Sequence, residues 1–315
     1  MNLYKGSNFF EFLFLFFKRI TLIFHPEKLM NDEVQIFSLI CIGTACILVS
    51  IFLLLQKKMM IVNSISHTIL LGIVCFLGIT RYVYGSNFVF DPAYSLESLI
   101  VPAFFSAFLT HYFTDLLVHR FKVQEDASIG IVFTFLFALG VFLVSLFGRN
   151  SHLGLEAIVG NLDAVSYADL KIAFMVMSII IGFVVLLFPI FTMISFDMAY
   201  SKIMGIYVPL FNSLLIFLSS LTLVVGFKSV GVIMILALMT FPVLTARLIF
   251  DSISKIIMLS AGLNIFLSLI SVAISRSILS SNALPLSTSG ILVTLWAALF
   301  FGVFSMRKQL YRIKS

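Results

Sequence analysis

Hydrophobic residues fill long segments of this chain, and short polar stretches separate one segment from the next. A helix of about 20 apolar residues crosses the hydrocarbon core of a bilayer, and nine segments approach or exceed that length. They cover residues 36–55, 61–80, 96–118, 127–147, 172–194, 211–227, 229–249, 254–275 and 288–305. The pattern therefore predicts an all-α, polytopic membrane protein, a transmembrane bundle of about eight to ten helices.

The first 35 residues follow a different pattern. Within residues 8–24 the polar positions fall in a sector of roughly 100° on a helical wheel, and Phe and Leu fill the remainder. These polar positions are Asn8, Glu11, Lys18 and Arg19. Because a Lys-Arg pair near the middle of a span is costly, we predict an amphipathic helix in the membrane interface, broken by Pro26, rather than an additional span.

The distribution of basic residues orients the chain. If the C-terminus is cytoplasmic, the cytoplasmic segments hold Lys57, Lys58, Arg120, Lys122, Lys202, Arg247, Lys255, Arg307, Lys308, Arg312 and Lys314. The opposite segments then hold fewer, namely Arg81, Arg149, Lys171, Lys228 and Arg276. The positive-inside bias favours this orientation. We therefore divide the chain into an N-terminal interfacial segment (1–35), one transmembrane domain (36–305) and a basic cytoplasmic tail (306–315).

Composition excludes several classes of protein. Hydrophobic residues make up 61% of the chain and charged residues 11%, against about 25% charged in soluble domains. The net charge of +6 is explained by basic cytoplasmic loops, so we predict membrane lipid and no nucleic acid as a partner. Cys41, Cys46 and Cys75 lie in apolar runs without C-x-x-C spacing, which is typical of packing residues.

Catalytic motifs are missing from the sequence. It contains no G-x-x-x-x-G-K-[ST] loop, no H-E-x-x-H and no G-x-S-x-G, so the chain lacks the usual means of holding ATP or activating a nucleophile. We predict transport rather than catalysis, with no permanently bound cofactor.

One pair of polar residues stands out within the apolar run of residues 59–78. Asn63 and His67 are four residues apart, so on a helix they project from the same side. A histidine at bilayer depth faces the protein interior or a water-filled path, and an amide oxygen with an imidazole nitrogen can ligand a divalent cation. The alternative is a histidine hydrogen-bonded inside the bundle.

A second polar segment follows the fifth predicted span. Residues 196–208, FDMAYSKIMGIYV, are short and moderately polar, and Gly205 is a suitable residue to end a helix. We predict a short helix on the cytoplasmic face, which serves either to dock a soluble partner or as an ordinary loop.

Several stretches together resemble the permease subunits of the manganese/zinc/iron ABC importers, the ABC-3 family. They are KKMMIVNSISHTILLGI (57–73), EDASIGIVFTFLFALGV (125–141), IVGNLDAVSYADL (158–170), SFDMAYSKIMGI (195–206) and SVGVIMILALMTFPVLTARLI (229–249). They occur in the order and spacing of the family and cover most of residues 36–305, whereas the first 35 residues lie outside the resemblance.

The resemblance implies the membrane domain of a type II importer in the bacterial cytoplasmic (inner) membrane. It implies three protein partners: a second permease, a cytoplasmic ABC ATPase and an extracytoplasmic metal-binding protein. The cargo would be a divalent ion of manganese, zinc or iron, and ATP hydrolysis would belong to the partner. The residues matching the ATPase-coupling helix are Phe196, Asp197, Ala199, Lys202 and Gly205.

The metal-handling pair departs from the family pattern at one position. The family carries Asp-x-x-x-His near the transport axis, and this chain has His67 but Asn63 in place of the aspartate. A symmetric dimer would offer two imidazoles and two amides to the ion. A paralogous partner that retains the aspartate would make the site asymmetric.

Other histidines could also handle metal. His111, Asp115 and His119 recur every four residues near the cytoplasmic end of the third predicted span and could form an exit site. Alternatively, Asp115 and His119 form a hydrated helix end while His111 bonds to a neighbouring helix. His152 and Glu156 on the outer side could touch a binding protein or belong to a solvated loop.

Two rival functions remain open at this stage. The same architecture could import a metal chelate or a cobalamin-like cargo, which predicts a wide apolar path and no essential His67. An ion-gradient-driven secondary transporter would need no ATPase, but such carriers often show internal repeats, which we do not find in this sequence.

Overall fold

A computed structural model describes residues 9–19, 29–84, 97–147, 162, 165–282 and 286–314. These residues form helices and connecting turns and contain no strand. The helices are α1 (Phe9–Arg19), α2 (Asn31–Leu55), α3 (Met59–Tyr84), α4 (Glu97–Phe121), α5 (Glu125–Phe147), α6 (Tyr167–Phe196), α7 (Met198–Ile203), α8 (Val208–Val230), α9 (Val232–Ile249), α10 (Ile253–Asn282) and α11 (Thr288–Lys314).

Within the described ranges, eight helices are long and apolar enough to cross a membrane: α2, α3, α5, α6, α8, α9, α10 and α11. They coincide with eight of the predicted spans. The remaining predicted span, 96–118, forms the 25-residue helix α4, which contains Pro102 and is not among the eight. The prediction of an all-α, multi-pass membrane bundle is confirmed. The break predicted around Lys228 was misplaced, because α8 runs through Lys228 to Val230 and Gly231 separates it from α9.

The chain folds into two compact units. Unit 1 comprises residues 1–51, 160–182 and 229–315. In it, α1 buries Phe12 and Phe16 and packs on α10, while Arg19 at its end pairs with Glu33 at 3.1 Å. The helix predicted for residues 8–24 is confirmed over Phe9–Arg19. Its interfacial position stays a prediction, as do the domain boundaries at residues 35 and 305, and Pro26 lies outside the described residues.

The interior of unit 1 includes close contacts between α10 and two other helices. A Cβ placed on Gly43 of α2 would overlap the carboxamide of Asn264 on α10, so the two helices touch at a point where only glycine fits. Arg276 of α10 forms an ion pair with the buried Asp32 of α2. The Ser260 hydroxyl donates to the Pro242 carbonyl of α9 at 3.1 Å. Helix α9 continues past Pro242 and has Arg247 in its last turn, as expected for its edge.

Unit 2 comprises residues 52–159 and 183–228. Its α3 packs on both α4 and α5. Thr68 and Thr110 share a hydrogen bond of 2.9 Å between α3 and α4, and Leu71 with Val132 and Leu136 forms a buried cluster between α3 and α5. These contacts fix α3, which carries the predicted metal-handling pair, at the centre of the described part of this unit.

Candidate functional site

Helix α3 turns one side toward the surface of unit 2, and that side carries Asn63 and His67. Asn63 is exposed and His67 is half-buried. The neighbouring residues are buried, namely Ile61, Val62, Ser64, Ile65, Ser66 and Thr68. The predicted pair therefore lies where a second subunit or a water-filled path can reach it.

Two aromatic rings of α5 hold the imidazole of His67 in place. Its ring centre is 5.4 Å from that of Phe133 and 5.8 Å from that of Phe137, the latter in an edge-to-face arrangement. Such contacts favour one orientation of the ring. The ring is therefore packed against α5, while the side chain as a whole stays half-buried.

The described residues do not by themselves form a complete metal site. Among them, no group of three or more His, Cys, Asp or Glu side chains is close enough to hold an ion. Asn63 and His67 could offer two ligands, whereas four or more are usual for transition metals in proteins.

The second predicted constellation is split by the tertiary structure. The Nε2 atom of His119 lies 3.2 Å from Asp115 Oδ1, and both side chains are exposed. His111 Nε2 instead lies 3.3 Å from Ser213 Oγ, on α8. The structure therefore pairs these residues separately and does not gather the three around one point.

Lys58, a half-buried lysine, lies near Asp115 and Glu125 in unit 2. Burial lowers the pKa of Lys58, while the carboxylates of Glu125 and Asp115 oppose that shift. An ammonium close to these acidic groups partly neutralises them.

The short helix predicted after the fifth span is confirmed as α7. The carboxylate of Asp197 accepts hydrogen bonds from the backbone N–H groups of Ala199 at 2.9 Å and Tyr200 at 3.0 Å, so it is the N-cap. Gly205 has a φ of +80°, a conformation that other residues adopt only with strain. The chain therefore starts and ends this helix through contacts that are local in sequence; our sequence analysis predicted the end, from Gly205, but did not identify Asp197 as the N-cap.

The surface of α7 and its flanks is apolar. Phe196 is 69% exposed and Ile203 is 83% exposed. Tyr207 also lies open. Our sequence analysis included Phe196 among the coupling residues but missed Ile203 and Tyr207. Large apolar side chains in a short polar segment were the signal that could have indicated them. An exposed apolar surface of this kind is unfavourable in water, so it is suited to binding a partner protein that covers it.

The outer residues His152 and Glu156 lie outside the described residues. The remaining predicted coupling residue, Lys202, lies in the last turn of α7.

The fold and these two surfaces define a class of protein. A multi-pass helical bundle with a polar side on α3 and a capped surface helix between two spans has the architecture of an ABC transporter permease. The chain belongs to the ABC 3 transport family, whose family model matches residues 32–307.

Relatives and a solved structure agree with that assignment. The chain is 35% identical over 301 residues to a "probable metal transport system membrane protein" of Chlamydia muridarum (strain MoPn / Nigg), covering 95% of this chain and 92% of the relative. It is 34% identical over 236 residues to "manganese transport system membrane protein MntD" of Bacillus subtilis (strain 168), covering 70% and 76%. The fold is similar to "PsaBC from Streptococcus pneumoniae in complex with Fab", with a TM-score of 0.72 and 22% identity over 94% of this chain and 99% of that one.

Proposed function

We propose that this chain is the membrane-spanning permease subunit of an ATP-driven importer of divalent transition metal ions: manganese, zinc or iron. The observation that carries the proposal is the family match across residues 32–307, together with curated relatives named for metal or manganese transport. The chain itself is non-catalytic. It would lie in the bacterial cytoplasmic membrane and work with a separate ATPase.

The ion passes between two permeases, along the open side of α3. Asn63 and His67 lie on this side, and a second subunit facing it would supply the ligands that one chain lacks. A second copy brings another amide and imidazole, whereas a paralogous permease could bring a carboxylate. Neutral ligands hold a dication weakly, and weak binding suits a conduit that must release its cargo.

The cytoplasmic ATPase docks on the apolar surface around α7. ATP-driven closure of the ATPase pushes on α7, and the capped helix transmits the force to α6 and α8, which flank it in sequence. An extracytoplasmic metal-binding protein delivers the ion at the opposite end. These assignments rest on the fold and on the apolar exposure of Ile203 and its neighbours.

The test is metal uptake by proteoliposomes containing the complete transporter. We expect His67→Ala to abolish manganese, zinc or iron uptake while the thermal unfolding midpoint stays close to that of the parent. Met258→Ala, at an exposed position of α10, is the control and should transport normally.

Normal uptake by His67→Ala would show that the ligand assignment is wrong, and it would favour a chelate or cobalamin-like cargo. Uptake driven by an ion gradient without any ATPase would overturn the importer assignment itself. Co-purification of an ATPase that depends on residues 195–210 would support it.

A further inference from the structure

Unit 1 contains a row of polar side chains along α10 that includes none of the predicted metal-handling residues. Asn264, Ser268, Ser271 and Ser275 recur at intervals of four, three and four residues, so they share one face of the helix. Asn264, Ser268 and Ser271 are fully buried. The row lies at bilayer depth, where a polar group without a hydrogen-bond partner is costly.

Two groups in this row lack partners within the described part of the chain. Both the Oδ1 and the Nδ2 atoms of Asn264 are buried without a hydrogen bond, and so is the Oγ atom of Ser268. The carboxamide of Asn264 points toward Gly43 of α2, because a Cβ on that glycine would overlap it. By contrast, Ser271 donates to the Ser268 carbonyl at 2.9 Å.

Helix α11 brings a third such group to the same depth. Its buried positions Thr288, Leu292 and Trp296 recur every four residues, and Thr288 donates to Ser275 of the α10 row at 3.2 Å. Trp296 follows Thr288 by eight residues on α11, and Leu267 precedes Ser275 by eight residues on α10. Each therefore lies about 12 Å along its helix from that contact. Trp296 therefore lies level with Ser268, and its Nε1 atom is buried without a partner among the described residues.

The chemistry of these groups identifies what they would bind. The indole N–H only donates, the serine hydroxyl does both, and the carboxamide offers one acceptor and two donors. A metal cation cannot accept a hydrogen bond from the indole or from the amide N–H. Water accepts and donates, is small and neutral, and typically makes about three hydrogen bonds when buried.

A cavity lies at one end of this row. At its Ser275 end, unit 1 has a cavity of about 190 Å³. Its polar lining consists of Asn31, Gln35, Ser275, Arg276 and Thr288. Water in this cavity would lie next to Ser275, at the opposite end of the row from Asn264.

We propose that unit 1 encloses an ordered water site at bilayer depth, held by Asn264, Ser268 and Trp296 and closed against the backbone of α2 at Gly43. Its ligand is one water molecule or a small cluster. The site is separate from the metal-handling pair on α3 and does not depend on the transport assignment.

Trp296 allows a direct test, because it is the only tryptophan of the chain. Ultraviolet resonance Raman spectra of the purified full-length protein report the hydrogen bonding of the indole N–H. We expect a hydrogen-bonded indole that exchanges its proton in D2O. Asn264→Leu should remove the hydrogen-bonded component of the band, and Ser268→Ala should weaken it without threatening the fold.

Asn212→Leu is the matched control. Asn212 lies on α8 in unit 2, and its Oδ1 atom is also buried without a partner among the described residues, so this change removes a comparable amide far along the chain from the site. It should leave the Trp296 band unchanged. The proposal is overturned if the parent shows a free indole N–H, or if a hydrogen-bonded band persists unaltered in both Asn264→Leu and Ser268→Ala.

Discussion

The contact between Gly43 and Asn264 gives a quantitative prediction about packing inside the membrane. A methyl group on residue 43 would overlap the Asn264 carboxamide, so Gly43→Ala forces either a displaced side chain or a wider gap between α2 and α10. Overpacking of this kind costs about 1–3 kcal/mol. At about 2 °C per kcal/mol for a chain of this size, the apparent Tm should fall by about 2–6 °C.

A double-mutant cycle with Asn264→Ala tests this contact, because it removes the group that a methyl at residue 43 would overlap. Asn264→Ala deletes the carboxamide, so residue 43 then has room for a methyl group. In that background Gly43→Ala should be neutral, or stabilising by about 0.5–1 kcal/mol through the helix preference for alanine. The difference between the two backgrounds is a coupling free energy of about 1–4 kcal/mol.

Thermal unfolding followed through the fluorescence of Trp296 measures all four variants in detergent, because this fully buried residue reports on unit 1. Gly262→Ala on α10, where nothing lies within 4 Å of the new Cβ, controls for the change in helix propensity. If Gly43→Ala behaves like Gly262→Ala, or if Asn264→Ala fails to rescue it, the close contact we describe is wrong.

Three further predictions concern the N-cap Asp197, the ion pair between Arg276 and Asp32, and the amide of Asn63. Asp197→Ala should destabilise α7 by about 1 kcal/mol and lower the yield of co-purified ATPase. Asp197→Ser should keep both the stability of α7 and the ATPase yield. An ATPase yield from the alanine variant equal to that of the parent would contradict the coupling role. Arg276→Met should destabilise unit 1 by about 3–5 kcal/mol, because it removes the guanidinium that pairs with the buried Asp32. Asp32→Asn should restore part of that loss in thermal unfolding, and the absence of any rescue would argue against the pair. Asn63→Asp should lower the metal concentration for half-maximal uptake, since it adds a carboxylate beside His67, and an unchanged value would place residue 63 away from the ion.

Much of the fold followed from local properties of the sequence. The lengths of the apolar segments predicted the spans to within a few residues, because a bilayer requires a helix of fixed minimum length. Gly205 predicted the end of α7, since capping depends on residues that are close in sequence, whereas the N-cap role of Asp197 was seen only in the structure. The error at Lys228 arose because one charge does not stop a helix, whereas Gly231 with its positive φ does.

The sequence predicted the candidate site only in part. Asn63 and His67 could be placed together because their spacing fixes them on one side of a helix. For His111, Asp115 and His119 the same reasoning left two arrangements open, and the structure shows the one in which His111 contacts a neighbouring helix, at Ser213, 102 residues away along the chain. Spacing on one helix says which residues share a face, and it does not say which neighbouring helix that face meets.

By itself, the sequence determined that this chain crosses the membrane many times, that it lacks the usual nucleotide-binding motif, and where its surface helix ends. These properties depend on transfer free energies and short-range hydrogen bonds, which act over a few residues. Only the tertiary structure decided that the α3 pair lies on an open side while Asn264 and Trp296 are sealed inside unit 1. All four residues occupy similar apolar runs, and burial depends on contacts between segments far apart in the chain.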